Sequence, residues 1–332
     1  MKHIYIDGSS MLMTAYYGNS PERGKDEADE EYFKKLLQTK DGIYTNAVVI
    51  MMRTLLHIIN VQHPDYMAIA FDSGRADTFR AKMYSAYKGT RKPVPEPITQ
   101  QINTMVKICR RIGIPVFFKK EYEADDIICS LVDKNKSKDN EIIVISKDHD
   151  YYQLIDDDNN VILWQMQNSK EKAEKLLKEL NITQQNLLPK YVPLNEGAIL
   201  KLEGIKACQT PDYKGMAGDK SDNIPGIPKI GEETAKKLLR IYESLENIYM
   251  QLYADETAFV SKCKASGIRN PVNALKAGAE SGFMSLSLAM MSKSAADDIP
   301  LERIAFSYNE NVKNNLRQVC TDYELHSVLN YI

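Results

Sequence analysis

Long hydrophobic runs are missing from this chain of 332 residues. None approaches the ~20 apolar residues that a membrane-spanning helix needs, so no span is expected and no membrane partner. The opening Met-Lys-His-Ile-Tyr-Ile-Asp meets a charge at Asp7, which leaves no apolar core for a signal peptide. Cysteine is scarce. The five, at Cys109, Cys129, Cys208, Cys263 and Cys320, are scattered, odd in number and free of CxxC spacing. That argues against a disulfide framework and a zinc knuckle, and favours a reducing, cytoplasmic setting. An excess of either charge is also absent: 43 Lys and Arg face 45 Asp and Glu, for a net −2. Any nucleic acid must then be held by local basic patches and not by bulk charge. What remains is ordinary for a globular protein, with 43% hydrophobic and 27% charged residues. The length suits roughly two average domains.

The first two-thirds alternate apolar runs with helical patterns. Strand-like runs occupy His3–Ile6, Tyr66–Phe71, Ile114–Phe118, Ile142–Ser146 and Val161–Trp164. Helical spacing marks Asn46–Ile59, Ile98–Ile112 and Ala124–Lys134. The alternation predicts an α/β fold with a central, mostly parallel sheet flanked by helices. Ser169–Leu180 reads as a solvated Lys/Glu helix, and 181–214 has too little periodicity to place. Gly215–Gly231 is a turn region rich in Gly, Pro and Asp, and Glu232–Tyr242 a helix. From Leu245 onward the pattern is helical. Residues 18–41 read as a charged, mobile insertion.

Acids follow the strands. Asp7, Asp72 and Asp148 each come just after an apolar run, and in an open parallel sheet ligands gather at the carboxyl ends of strands. Glu123, Asp125 and Asp126 open the helix after the third strand, and Asp150 lies two residues beyond Asp148. A lone aspartate after a strand usually caps a turn or helix, and acids at a helix start complement its dipole. Six or more together repel: two charges ~4 Å apart cost roughly 4 kcal/mol at an effective dielectric near 20. All-oxygen ligands select hard cations, so Mg²⁺ or Mn²⁺ is implied. Paired ions suit in-line displacement at a phosphodiester, with water made acidic enough to attack. The Asp148-His-Asp150 pair also loosely resembles the DxD of haloacid-type phosphatases. Asp156–Asp158 reads as a polar turn.

Two further stretches carry binding chemistry. From 75 to 92 the cations Arg75, Arg80, Lys82, Lys88, Arg91 and Lys92 face one acid, Asp77, with Phe79, Tyr84 and Tyr87 interleaved. Cations track phosphates and aromatic rings stack on unpaired bases, although charge runs are usually solvated surface. Asp219 and Asp222 share the spacing of a helical turn and could join the metal site. The glycines Gly226 and Gly231 then open a helix, where backbone N–H groups suit a DNA phosphate; a plain loop fits that segment as well.

These residues resemble the 5′-nuclease family: the 5′–3′ exonuclease domain of bacterial DNA polymerase I, the standalone bacterial and phage exonucleases, and the flap endonucleases. The matching pieces, in the family's order, are Ile6-Asp-Gly-Ser-Ser10 with Ala15-Tyr16, Phe71-Asp72, Tyr87-Lys-Gly-Thr-Arg91-Lys-Pro-Val-Pro-Glu96, Glu123-Ala-Asp-Asp126, Ser146-Lys-Asp-His-Asp-Tyr-Tyr-Gln-Leu154, and Gly218-Asp-Lys-Ser-Asp-Asn-Ile-Pro-Gly226 with Gly231-Glu-Glu-Thr-Ala235. The resemblance covers 1–17, 42–165 and 212–292 well.

The resemblance implies a PIN-like 5′-nuclease fold in three regions. Residues 1–165 would be catalytic, with an arch near 75–110; 166–211 a variable link; and 212–332 helical, with a helix–hairpin–helix-like DNA grip at 218–242, often with a bound K⁺. One divalent ion would fall to Asp7, Asp72, Glu123, Asp125 and Asp126, and a second to Asp148, Asp150, Asp219 and Asp222. Lys88 and Arg91 would be catalytic. Arg80, Tyr84, Tyr87, Lys92, Gly226, Lys229 and Gly231 would contact DNA. Departures fall at Thr14 (usually arginine), Lys229 (usually glycine), Glu233 (usually lysine) and in a longer link over 165–211. No metal ligand is lost. The implied activity is a standalone, monomeric 5′–3′ exonuclease and flap endonuclease on DNA with 5′ ends, flaps or branches. Removal of RNA–DNA primers and an inactive reader of DNA structure are the rivals.

Overall fold

The computed structural model describes residues 1–74, 77–183 and 188–332. Arg75, the first cation of the basic stretch, lies outside the described residues.

Six strands form one sheet: β1 (Lys2–Asp7), β2 (Tyr66–Ala70), β3 (Val116–Phe117), β4 (Glu141–Ser146), β5 (Val161–Met166) and β6 (Tyr191–Leu194). Their order is β3-β2-β1-β4-β5-β6. All pairings are parallel except β5 with β6. Helices of the first part are α1 (Gly8–Asn19), α2 (Asp29–Phe33), α3 (Asn46–Gln62), α4 (Phe79–Met83), α5 (Glu96–Arg111), α6 (Ala124–Asn135), α7 (Lys170–Leu180) and α8 (Glu196–Glu203). The helical second part holds α9 (Thr210–Ala217), α10 (Glu232–Tyr242), α11 (Leu245–Ala254), α12 (Glu256–Ala265), α13 (Val272–Ala277), α14 (Ala279–Ala289) and α15 (Glu310–Asp322).

The central strands are apolar on both faces because both are covered. Ile4 and Ile6 of β1 join Ile143 and Ile145 of β4 in a core shared with α3 and α5. Tyr5, Ile142 and Val144 face the other way, onto Ile127, Ile128 and Leu131 of α6. A third core knits α10 to α13 around Leu238, Leu239 and Ile248.

Two elements appear where none was expected, and two expectations change. β6 falls in the stretch left unplaced, where Pro193 and a four-residue length hide its strand character. α1 starts directly at Gly8 with no apolar lead to announce it. The 18–41 segment is anchored, since Tyr32 and Leu36 enter the core. The arch cannot reach 110: α5 buries Ile98, Met105, Ile108 and Cys109 from its first turn onward, so any bridging element ends before Glu96.

Candidate active site

The site forms at the carboxyl edge of the sheet. β1 ends on Asp7, which is 7% exposed and caps α1. Its carboxylate accepts from the Ser10 backbone N–H at 2.8 Å and from the Ser146 hydroxyl at 2.9 Å. The chain turns into α1 at Gly8, where a Cβ would stand 2.7 Å from Ile69 and Phe71 side-chain atoms. Next door, Asp72 follows β2; it accepts from the Ala124 N–H at 3.0 Å and donates its own N–H to the Ser9 hydroxyl. Beyond β4, the Asp148 N–H donates to the Ser146 hydroxyl at 3.1 Å. Ser146 thus ties Asp7 to Asp148. Burial, then the charge of Asp72, pushes Asp7 up to about 7. Burial, then Asp126, pushes Asp125 well above the carboxylate range.

Asp126 plays a different part from the one expected. It is fully buried, and both oxygens face Arg80, at 2.7 Å each. One oxygen also accepts from the Ser292 N–H and the other from the Glu123 N–H. Each oxygen therefore has two donors, its full capacity, and a metal could take Asp126 only by displacing one of them. Arg80 is likewise no DNA contact. At 1% exposure it also donates to the Leu288 and Met290 carbonyls and to Glu123. It anchors α4 to the end of α14 through a buried, fully paired ion network.

Glu123 faces the cleft side of that network. It accepts from Lys88 Nζ at 2.6 Å and the Tyr87 hydroxyl at 2.9 Å. Burial would raise it, but Lys88 and Arg80 outweigh that and hold it below the usual range. Lys88 also lies 3.6 Å from Asp222, and its own N–H donates to the Asp222 carbonyl. Its φ of +52° is a left-handed conformation, held by those contacts. Arg91 pairs with Asp222. Asp219 and Asp222 sit in a turn closed by a bridge between Asp219 and Ile224, in place of the helical turn expected. Lys214 of α9 pairs with Asp150 and, at 2.5 Å, with Asp219. Burial works against Asp219, yet Lys214 draws it down to about 2. Asp150 still rises to about 6, from burial and then Asp148.

The remaining DNA candidates separate by exposure. Tyr87 is buried with its hydroxyl on Glu123 and 3.4 Å from Asp222, so it cannot stack on a base here. Tyr84 is half-buried against the same small cluster as Leu288 and Ala289. Lys92 is exposed. Gly226 is buried: its N–H donates to Ser285 and its carbonyl accepts from Ser281, so it offers no N–H to a phosphate. A Cβ on it would stand 2.4 Å from the Gly218 nitrogen. Lys229 and Gly231 are exposed at the hairpin, and Lys229 has φ +72°, the conformation that favours glycine.

Sequence reasoning missed Ser9, Ser10, Ser146, Lys214 and Tyr151. The serines sit inside the quoted motifs, but a hydroxyl that orients a carboxylate has no pattern of its own. Lys214 lies in the unplaced stretch. A cleft of about 770 Å³ collects Asp7, Asp72, Glu123, Asp125, Asp148, Lys88 and Arg91. Its donors are carboxylate oxygens; Glu123, Asp125 and Asp126 each bring one close enough to share an ion, although the Asp126 oxygens already carry the hydrogen bonds described above. Buried acids held above their usual range are what a hard divalent cation would relieve, so the residues fit such an ion.

Comparison with known proteins agrees. The N-terminal resolvase-like domain of 5′–3′ exonucleases matches residues 2–185, and their C-terminal SAM fold matches 205–314. DNA polymerase I of Caldicellulosiruptor bescii is 34% identical over 329 residues, covering 99% of this chain and 33% of that protein. The chain thus spans about a third of such relatives. The 5′–3′ exonuclease of Aquifex aeolicus is 31% identical over 249 residues, 75% of this chain and 72% of that protein. Phage T5 5′-exonuclease, solved with divalent zinc bound, shares the fold at a TM-score of 0.60 and 15% identity, over 97% of this chain and 99% of that one. The chain belongs to the 5′–3′ exonuclease family. No helix among the described residues is long and apolar enough to cross a membrane.

Proposed function

We propose that this chain is a Mg²⁺- or Mn²⁺-dependent 5′–3′ exonuclease and flap endonuclease of DNA, with 5′ ends, flaps and branched structures as substrates. The carrying observation is the convergence of Asp7, Asp72, Asp125 and Asp148 in one cleft with Lys88 and Arg91 on its rim. These acids, with Glu123 and with Asp150, Asp219 and Asp222 beyond them, are the ligands for two or more ions. The bound ions would neutralise the phosphate and make water acidic enough to attack. Lys88 and Arg91 then face the charge that develops on the scissile phosphate. Ser10 and Ser146 keep the Asp7 oxygens in place. Lys92 and Lys229, both exposed, are the candidates for strand and duplex phosphates, with K⁺ an additional candidate at the hairpin.

The test is cleavage of end-labelled 5′-flap, blunt duplex and 5′-RNA–DNA primer substrates, with Mg²⁺ and with EDTA. Metal-dependent release of a 5′-phosphate product from the DNA flap is expected. Preference for the RNA–DNA primer would move the substrate to primer removal. No cleavage of any substrate with Mg²⁺ would leave a DNA-structure reader.

A further inference from the structure

Tyr151 stands out in the cleft. It follows Asp150 in the 3-10 turn His149–Leu154 and is 1% exposed. Its hydroxyl is buried with no hydrogen-bond partner among the described residues. The same residue lines the cleft with Asp7, Asp72, Asp125 and Asp148. A buried hydroxyl left unpaired costs on the order of 1–3 kcal/mol, so one facing a polar cleft needs an explanation. A structural filler would be a phenylalanine, as at Phe71 under Gly8. A phenol is a donor at neutral pH, and the carboxylates that line the cleft with it only accept when ionised.

Resting on the metal-dependent reading above, we propose that the Tyr151 hydroxyl is a positioning donor for the metal site, holding the water that surrounds a divalent cation gathered by Asp7, Asp125 and Asp148. Partners of this outer kind are worth roughly 10-fold or more in metal affinity. The carboxylates supply the charge, and the phenol orients the water that those acids cannot hold while their oxygens point at the ion. Its ring stays fixed by the apolar residues of the core beneath α6.

The experiment titrates the full chain, free of DNA, with Mg²⁺ by calorimetry, and melts it in EDTA and in excess Mg²⁺. Tyr151→Phe removes one oxygen and keeps the ring. Its Mg²⁺ dissociation constant should rise roughly 10-fold. Its melting point in EDTA should match or exceed that of the wild type, because an unpaired buried hydroxyl is gone. The extra melting temperature conferred by Mg²⁺ should shrink accordingly. Unchanged Mg²⁺ affinity in Tyr151→Phe would overturn the proposal, as would a lower EDTA melting point with affinity retained. If the wild type itself binds no Mg²⁺, or binds it equally well as Asp148→Asn, the metal-site reading falls, and Tyr151 with it.

Discussion

Two groups of carboxylates share this cleft under opposite electrostatic terms. Asp7, Asp72, Asp125 and Asp148 make no ion pair within 4.0 Å among the described residues; hydroxyl and backbone N–H donors alone hold those described above. Asp150, Asp219 and Asp222 are matched by Lys214, Arg91 and Lys88. The contrast is widest between Asp7, pushed up to about 7, and Asp219, drawn down to about 2, while Asp150, paired but buried beside Asp148, still rises to about 6. Neutral donors orient an acid but do not pair its charge, and Arg80 and Lys88 act on Asp125, and Arg91 on Asp148, only through space. The first group is therefore partly compensated at most, while the second is paired directly with the protein's own cations. A divalent ion would enter the first by relieving repulsion and the second only by displacing a lysine or arginine side chain. This division also cuts across the one expected from motif order, because Ser146 ties Asp148 to Asp7.

The largest effect should come from the unpaired group. Asp148→Asn keeps an acceptor for the Asp150 N–H but removes a charge from the ion's shell. A loss of several kcal/mol in transition-state stabilisation corresponds to cleavage slowed on the order of 10³-fold or more. DNA affinity measured in Ca²⁺ should hold or tighten, since repulsion of phosphate falls. Cleavage within tenfold of wild type would end the claim that this group carries the ion.

Next in size is Lys88→Met. Losing one electrostatic donor to the developing charge slows turnover by roughly 10²–10³-fold. A freely moving arch residue would leave the melting point unchanged. Lys88, by contrast, is 11% exposed and pairs with Glu123. The metal-free melting point should therefore drop measurably, with Arg80 and Tyr87 still holding Glu123. A normal single-turnover rate would remove Lys88 from catalysis.

Much of this was legible in the residues. Period and strand-end acids placed β1, β2, β4 and α6, and the strand-end rule put Asp7, Asp72 and Asp148 on one edge. The failures share a cause. Arg80, Tyr84 and Tyr87 read as a basic aromatic surface, because composition does not say which side of a short helix is buried. α4 turns Arg80 inward, onto Asp126. Asp126 and Asp125 are neighbours of one type in sequence, yet the ~100° rotation between successive helical residues decides which one faces the cleft. Lys214, between Asp150 and Asp219, required the packing of α9, which periodicity did not reveal.

A smaller change probes the paired group directly. Lys214→Met leaves Asp150 and Asp219 without their shared cation. The metal-free protein should melt lower, and Mg²⁺ should bind several-fold more tightly at low occupancy of the first group, because no ammonium has to be displaced. The check is a two-site calorimetric titration beside wild type. Weaker binding at both sites would mean that Lys214 shapes the metal site and does not compete for it.

The smallest expected effect lies outside the cleft and sets the background against which both groups titrate. His3 is 1% exposed, stacked on Tyr66 at 4.5 Å, with Nδ1 2.9 Å from the Tyr5 hydroxyl and Nε2 unpartnered. Burial first, and then the charge of the chain's amino terminus, lower it from 6.5 to about 4. Between those values the unfolded chain binds a proton that the folded one refuses, so stability rises with pH and is lost as pH falls from 6.5 towards 4. Asp7, raised in the fold, works the other way: its folded form keeps a proton that the unfolded chain releases, so its contribution fades as pH rises towards 7. The two slopes oppose each other in one window. His3→Gln removes the imidazole term and leaves Asp7 untouched. Melting in EDTA at pH 7 and pH 4.5 should show that wild type loses on the order of 1–3 kcal/mol more on acidification than His3→Gln. Equal losses in the two proteins would mean that His3 is protonated in the fold, and that the acid-side slope belongs to the carboxylates alone.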